Sequence, residues 1–240
     1  SVKAKDMILN DSIIQKVEFG EDSTQSSIVK TSYGNVTLDS SLANSVVPIN
    51  AGTQNAVATG SYGTVIKNYM PITINPGAKA MTGIMTNGTF ENYADIINNS
   101  SVYTTQWGYN YGGIGLAVTG YVANEYGLNK GNIEMNGDYA TAVYSMSQSL
   151  TSENDYIKVN GKQPIAVYSG GETGNQPETN ISTDRLEVNG DGGAAVFSYG
   201  GNITLKSNTP GQAMDMSVNG KDTFAFFVKK NYYDMIGKAI

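Results

Sequence analysis

Ile133-Glu134-Met135-Asn136-Gly137, closed four residues later by Ala142-Val143-Tyr144, decides how the rest of the chain is read. The same register returns three times. Ile157-Lys158-Val159-Asn160-Gly161 leads to Ala166-Val167-Tyr168, and Leu186-Glu187-Val188-Asn189-Gly190 leads to Ala195-Val196-Phe197. Met216-Ser217-Val218-Asn219-Gly220 leads to Ala225-Phe226-Phe227. The four Asn residues are 24, 29 and 30 positions apart. A recurrence of this length marks a repeat architecture, in which one unit buries its apolar face only by stacking on its neighbours.

Within a unit, apolar and polar residues alternate up to the Asn, which is the period of a strand. Asn-Gly then turns the chain, since both residues tolerate positive φ. In a tight antiparallel hairpin the next strand would start almost at once. The four intervening residues instead suit a corner between two faces of a solenoid, with hairpins of a β-sandwich as the alternative. The third unit supplies further strands, Ala194 to Ser198 and Ile203-Thr204-Leu205, separated by Tyr199-Gly200-Gly201-Asn202. Three short strands and three corners make one turn of a parallel β-helix.

Stacked in register, the units predict two inward columns. One is Ile133, Ile157, Leu186 and Met216; the other is Met135, Val159, Val188 and Val218. Ala142, Ala166 and Ala195 mark a place that admits only a small side chain. Between the inward columns, Glu134, Lys158, Glu187 and Ser217 face outward, with opposite charges on adjacent units. Arg185 and Asp215 share a further outward column and are expected to pair. Upstream, Ile72-Thr73-Ile74 before Asn75-Pro76-Gly77, Ile84 before Asn87-Gly88, and Val36-Thr37-Leu38 carry the pattern more faintly. The expectation is one all-β domain over 1–240, a parallel β-helix with extruded loops. Its coils are irregular over 1–132 and clear over 133–228. Gly170 to Asn180 reads as a loop thrown out from a corner. The last residues, Asp234 to Ile240, lack a polar capping repeat, so the chain reads as a piece of a longer one.

Composition narrows the chemistry. The 240 residues contain no Cys and no His. Disulfides, thiolate metal sites and cysteine nucleophiles are excluded, along with the commonest general base and metal ligand. Net charge is −6 and only 15% of residues are charged, so no basic face for nucleic acid is expected. No run of eighteen apolar residues occurs, so no transmembrane helix and no direct membrane insertion are expected of this segment. Its N-terminus, Ser1 to Asp6, lacks the apolar region of a signal peptide. Asn189-Gly190-Asp191-Gly192-Gly193 is similar to a calcium-binding nonapeptide, but it occurs once. Asp138 and Asp191 both fall two after the Asn, at a turn, with Lys162 between them in the stack. No catalytic carboxylate pair, metal or cofactor is expected.

Gly131-Asn132-Ile133-Glu134-Met135-Asn136-Gly137 with Ala140 to Tyr144, the matching segments at 157–168 and 186–197, and Gly200-Gly201-Asn202-Ile203-Thr204-Leu205 resemble the passenger repeats of large type V autotransporters, especially fusobacterial ones. Where those repeats usually carry Gly before the apolar-Tyr pair, this chain carries Ala. The resemblance implies a right-handed parallel β-helix (β-solenoid) on the bacterial cell surface, exported via the outer membrane and acting in adhesion or as a stalk. Its partners would be a host or bacterial surface protein or glycan, and the segment a non-catalytic monomer. A carbohydrate-active β-helix enzyme or a phage tailspike-like segment is the alternative.

One stretch interrupts the repeat. Tyr103-Thr104-Thr105-Gln106-Trp107-Gly108-Tyr109-Asn110-Tyr111 holds the only Trp. Aromatic faces beside amides and hydroxyls suit sugar recognition, because C–H faces stack on rings while amides bond hydroxyls. Tyr103, Gln106, Trp107, Tyr109 and Tyr111 are therefore the candidate ligand-binding residues. An aromatic plug filling a wide coil is the competing reading. A purely architectural spacer predicts no exposed aromatic cluster here.

Overall fold

The computed structural model describes residues 67–229 except 70, 75, 87, 120–124, 147 and 172–177, together with the strand backbones before residue 67. Those early strands are β1 (Ile8–Asn10), β2 (Ile14–Lys16), β3 (Ser27–Thr31), β4 (Asn35–Leu38), β5 (Val46–Val47), β6 (Asn55–Thr59) and β7 (Val65–Asn68). Then come β8 (Ile72–Ile74), β9 (Thr82–Thr86), β10 (Thr89–Asn92), β11 (Ile96–Asn98), β12 (Tyr103–Thr104), β13 (Asn110–Tyr111) and β14 (Ile114–Val118). β15 (Tyr126–Asn129), β16 (Ile133–Met135), β17 (Thr141–Met146), β18 (Ser149–Asn160) and β19 (Ile165–Gly170) follow. The series ends with β20 (Glu178–Asn189), β21 (Ala194–Tyr199), β22 (Asn202–Lys206), β23 (Asp215–Asn219) and β24 (Phe224–Lys229). Among the described residues there is no helix.

The strands pair in three parallel rows. The first runs β4, β7, β10, β15, the start of β18, the start of β20, then β22. The second runs β5, β8, β11, β16, the end of β18, the end of β20, then β23. The third runs β3, β6, β9, β14, β17, β19, β21, β24. The two 12-residue strands β18 and β20 fuse the first two rows into one sheet. From β3 to β24 the chain visits third, first and second row in rotation. Among the described residues the antiparallel strand pairs within the two long sheets are β1 on β4 and β2 on β3, with one isolated antiparallel bridge between Gly170 and Gly200.

The register is the one the repeat predicts. Ile133 sits on Ile157, Leu186 and Met216 in turn, and Met135 on Val159, Val188 and Val218. The first column extends back through Ile96 to Ile72. Ile72, Ile96, Ile133, Ile157 and Leu186 are all buried and belong to one core with Val143, Val167 and Val196 of the third row. Each such side chain contributes about 1.5–3 kcal/mol through burial. Ala142, Ala166 and Ala195 are fully buried. The corresponding upstream residue is Gly115, where an added Cβ would lie 2.5 Å from the Ala142 carbonyl oxygen.

Three sequence expectations need correction, and one alternative falls away. The segments flanking Asn-Gly form the expected corner between two rows, not a hairpin: β16 lies in the second row and β17 in the third, and β23 and β24 are placed likewise. Ile84 is not a counterpart of Ile133; it lies in the third row, paired with Val57 and Leu116. Glu178 to Asn180, assigned to an extruded loop, open β20, because the Thr179 side chain turns inward into a fully buried site and its hydroxyl bonds Ser169. Gly170 ends β19, and 172–177 lie outside the described residues. Arg185 does neighbour Asp215, but its ion pair is with Glu187 at 3.8 Å. Lys158 also pairs with Glu187, at 3.6 Å, as the outward column predicts. Asn75, Asn87 and residues 234–240 lie outside the described residues.

Two amide ladders run across the strands. At the Asn-Gly corner, Asn136 Nδ2 donates to Asn99 Oδ1 (2.8 Å) and Asn160 Nδ2 to Asn136 Oδ1 (2.7 Å). Asn189 and Asn219 continue the chain at 2.9 Å each. In the core, Asn68 donates to Asn92, Asn92 to Asn129, and Asn129 to Ser152. The Gly after each corner Asn is demanded by close stacking. A Cβ on Gly190 would lie 1.6 Å from the Gly161 carbonyl oxygen, and φ there is 155°.

Candidate functional site

Tyr103, Gln106, Trp107, Tyr109 and Tyr111 lie on one hairpin outside the two long sheets. β12 and β13 pair antiparallel, Tyr103 opposite Tyr111 and Thr104 opposite Asn110. The turn closes through the Thr105 and Tyr109 backbones at 2.8 Å, and Gly108 has φ 83°. The aromatic content is solvent-facing: Trp107 is 75% exposed, Tyr109 66% and Tyr111 49%. Gln106 is exposed and Tyr103 half-buried. An aromatic plug inside the fold is therefore not what these residues form.

The hairpin rises between β11 and β14, and its base lies against the Asn-Gly corner of the next repeat. Gly112, at its base, lies so close to Asp138 and Tyr139 that an added Cβ would be 2.1 Å from the Tyr139 carbonyl oxygen. Inserting it lengthens one repeat. The ladder spacing is 37 residues from Asn99 to Asn136, against 24 from Asn136 to Asn160. The sheets on either side keep their register across the insertion, since β14 still pairs with both β9 and β17.

Beside the hairpin lies an open groove of about 390 Å³, which the sequence did not disclose. Asn110 forms its wall on the hairpin side; Tyr139, Gln163, Phe197, Phe224 and Phe227 line the rest. Phe197 and Phe227 belong to a stack of rings along the third row. Tyr144 lies 4.8 Å from Tyr168, Tyr168 5.5 Å from Phe197, and Phe197 4.8 Å from Phe227. Desolvation pushes the Tyr168 hydroxyl above its ordinary pKa. The stack was legible as a repeated aromatic position; the groove was not, because Asn110 and Phe224 are more than a hundred residues apart.

A second hollow of about 500 Å³ lies near Glu153, Ser182 and the 206–212 loop. Asp184 holds that loop by accepting from the Ser207 hydroxyl (2.7 Å), the Thr209 hydroxyl (2.8 Å) and the Thr209 backbone N–H (2.8 Å). These bonds, Ser207 first, hold the Asp184 carboxyl below its ordinary pKa.

The two turn aspartates have structural partners. Asp138 accepts the Lys162 backbone N–H at 2.9 Å, and Asp191 that of Lys221 at 2.7 Å. Among the described residues no three Asp or Glu side chains are grouped as metal ligands. No family model, no curated protein and no solved structure matches the chain.

Proposed function

We propose that this chain is a segment of a right-handed parallel β-helix of the type V autotransporter passenger kind. It stands on a bacterial cell surface after export through the outer membrane. It acts without catalysis, as an adhesin or as a stalk that presents contacts to surface proteins or glycans. Three parallel rows visited in rotation support the winding. The exposed hairpin Tyr103–Tyr111 is the observation that carries the adhesive part. Its large apolar side chains face solvent at a cost in solubility that a pure spacer has no reason to bear. Aromatic residues of this kind dominate recognition energies where they anchor contacts. Repetition along a surface adds weak contacts through avidity.

Trp107→Ala tests the reading in a glycan-array and cell-binding screen. The expected result is at least tenfold weaker binding with an unchanged melting temperature. Unchanged binding, with the melting temperature lowered by several degrees, would overturn it.

A further inference from the structure

The groove beside the hairpin owes its shape to one repeat that has lost its side chains. At the third position after the corner Asn, the four repeats carry Tyr139, Gln163, Gly192 and Asp222. All four have positive φ: 59°, 48°, 76° and 53°. Three of them tolerate that conformation with a side chain, so the backbone does not by itself require glycine at 192. Two positions further, the repeats carry Thr141, Ile165, Ala194 and Phe224, and again the third is the smallest. The result is a notch over Gly192 and Ala194, with Gln163 and Ile165 on one side and Phe224 on the other.

The chemistry around the notch is specific. No side chain lining it is charged, in a chain of net charge −6. Asn110 is oriented by the Thr104 hydroxyl, which donates to its Oδ1 at 2.8 Å. That leaves Asn110 Nδ2 as a donor with no partner among the described residues. The Gln163 amide and the Tyr139 hydroxyl have none there either. Three residues with uncharged hydrogen-bonding groups thus line the groove together with three phenyl rings, in a volume within the roughly 300–1,000 Å³ range of small-ligand sites.

From this juxtaposition we infer a binding site for an uncharged hexose unit of a glycan chain. The C–H face of the sugar lies against Phe224 and Phe227, and its hydroxyls bond Gln163, Asn110 and Tyr139. The Gly192 notch admits the ring. An acidic sugar finds no cation there, and burying its carboxylate unpaired is costly. The inference deepens the surface-contact reading and rests on it.

Saturation-transfer NMR tests it with neutral hexose oligosaccharides (cello-, malto- and galacto-series), oligogalacturonate and a Phe-rich peptide as probes. The natural chain is expected to bind at least one neutral series and not the acidic one. Gly192→Gln, which copies Gln163 into the notch, is expected to weaken binding at least tenfold with unchanged circular dichroism and a melting temperature lowered by no more than a few degrees, the cost of a side chain at φ 76°. Asn110→Ala, on the exposed hairpin, is expected to weaken it severalfold without touching the core. Absence of binding to every neutral series, equal or tighter binding of oligogalacturonate, saturation of the peptide alone, or unchanged affinity in either variant overturns the inference. Loss of cell binding in Trp107→Ala with full cell binding in Gly192→Gln would sink the groove and leave the surface-contact reading standing.

Discussion

Glu91 is where charge, hydrogen bonding and ring stacking meet on the outer face of the first row. The Tyr93 hydroxyl donates to its Oε2 at 2.7 Å and the Tyr126 hydroxyl to its Oε1 at 3.0 Å; Lys67 Nζ lies 3.6 Å away. Tyr93 in turn stacks on Tyr69, centroids 4.8 Å apart. These partners, Tyr93 first, outweigh partial burial and hold the Glu91 carboxyl below its ordinary pKa. The same bond pushes the Tyr93 hydroxyl up from 10.0 to about 12. A lowered carboxyl contributes stability that is present above its unfolded pKa and lost as pH falls through the folded value. A raised phenol contributes stability present below its unfolded pKa and lost as pH climbs through the folded value. The alkaline window for Tyr93 therefore runs from about pH 10 to about 12. In urea titrations, the stability difference between the natural chain and Tyr93→Phe is expected to be constant from pH 7 to 9 and to shrink steadily across that window. A difference that stays constant through pH 12 would show that the hydroxyl–carboxylate bond is not formed.

At the scale of the element, the corner is the unit that repeats most faithfully. Asn189 donates to Asn160 and Glu187 and accepts from Asn219, so one side chain ties three repeats together. Asn189→Ala removes these bonds and leaves the neighbouring amides unpaired, which is expected to cost about 1–3 kcal/mol in urea unfolding. A loss under about 0.3 kcal/mol would mean that the ladder carries no stability beyond what water supplies. This corner was legible because two special residues, Asn and Gly, and four apolar positions recur together. The neighbouring elements were not, for stated physical reasons. β11 ends at Asn98 and is followed by Asn99-Ser100, which keeps the ladder amide at Asn99 but lacks the glycine that flags a turn. The buried ladder through Asn68, Asn92 and Asn129 escapes a search by fixed period, because the hairpin insertion changes its spacing from 24 to 37. Thr179 is polar and by sequence alone belongs with the loop, although its hydroxyl finds a buried partner in Ser169. The hairpin itself was visible as an aromatic interruption, while the groove beside it depends on residues that meet only after the rows have stacked.

On the scale of the whole molecule, each strand of the three rows packs on the equivalent strand of the neighbouring repeat. The third row continues in register past an insertion of an entire hairpin, so the stacking of β9, β14 and β17 is set by their own columns and not by the length of the connection. In-register parallel stacking is the central feature of the fold, and the chain's lack of cysteine gives it a clean test. Lys158 and Glu187 face outward on adjacent strands, so a Lys158→Cys/Glu187→Cys pair sits at the roughly 4.8 Å strand spacing, within the reach of a disulfide. Lys158→Cys/Ser217→Cys places the thiols two strands apart and outside that reach. Under mild oxidation, mass spectrometry of the folded chain is expected to find near-complete intramolecular bridging in the first pair and almost none in the second. Equal bridging in both, or none in the first, would contradict in-register parallel stacking of the repeats.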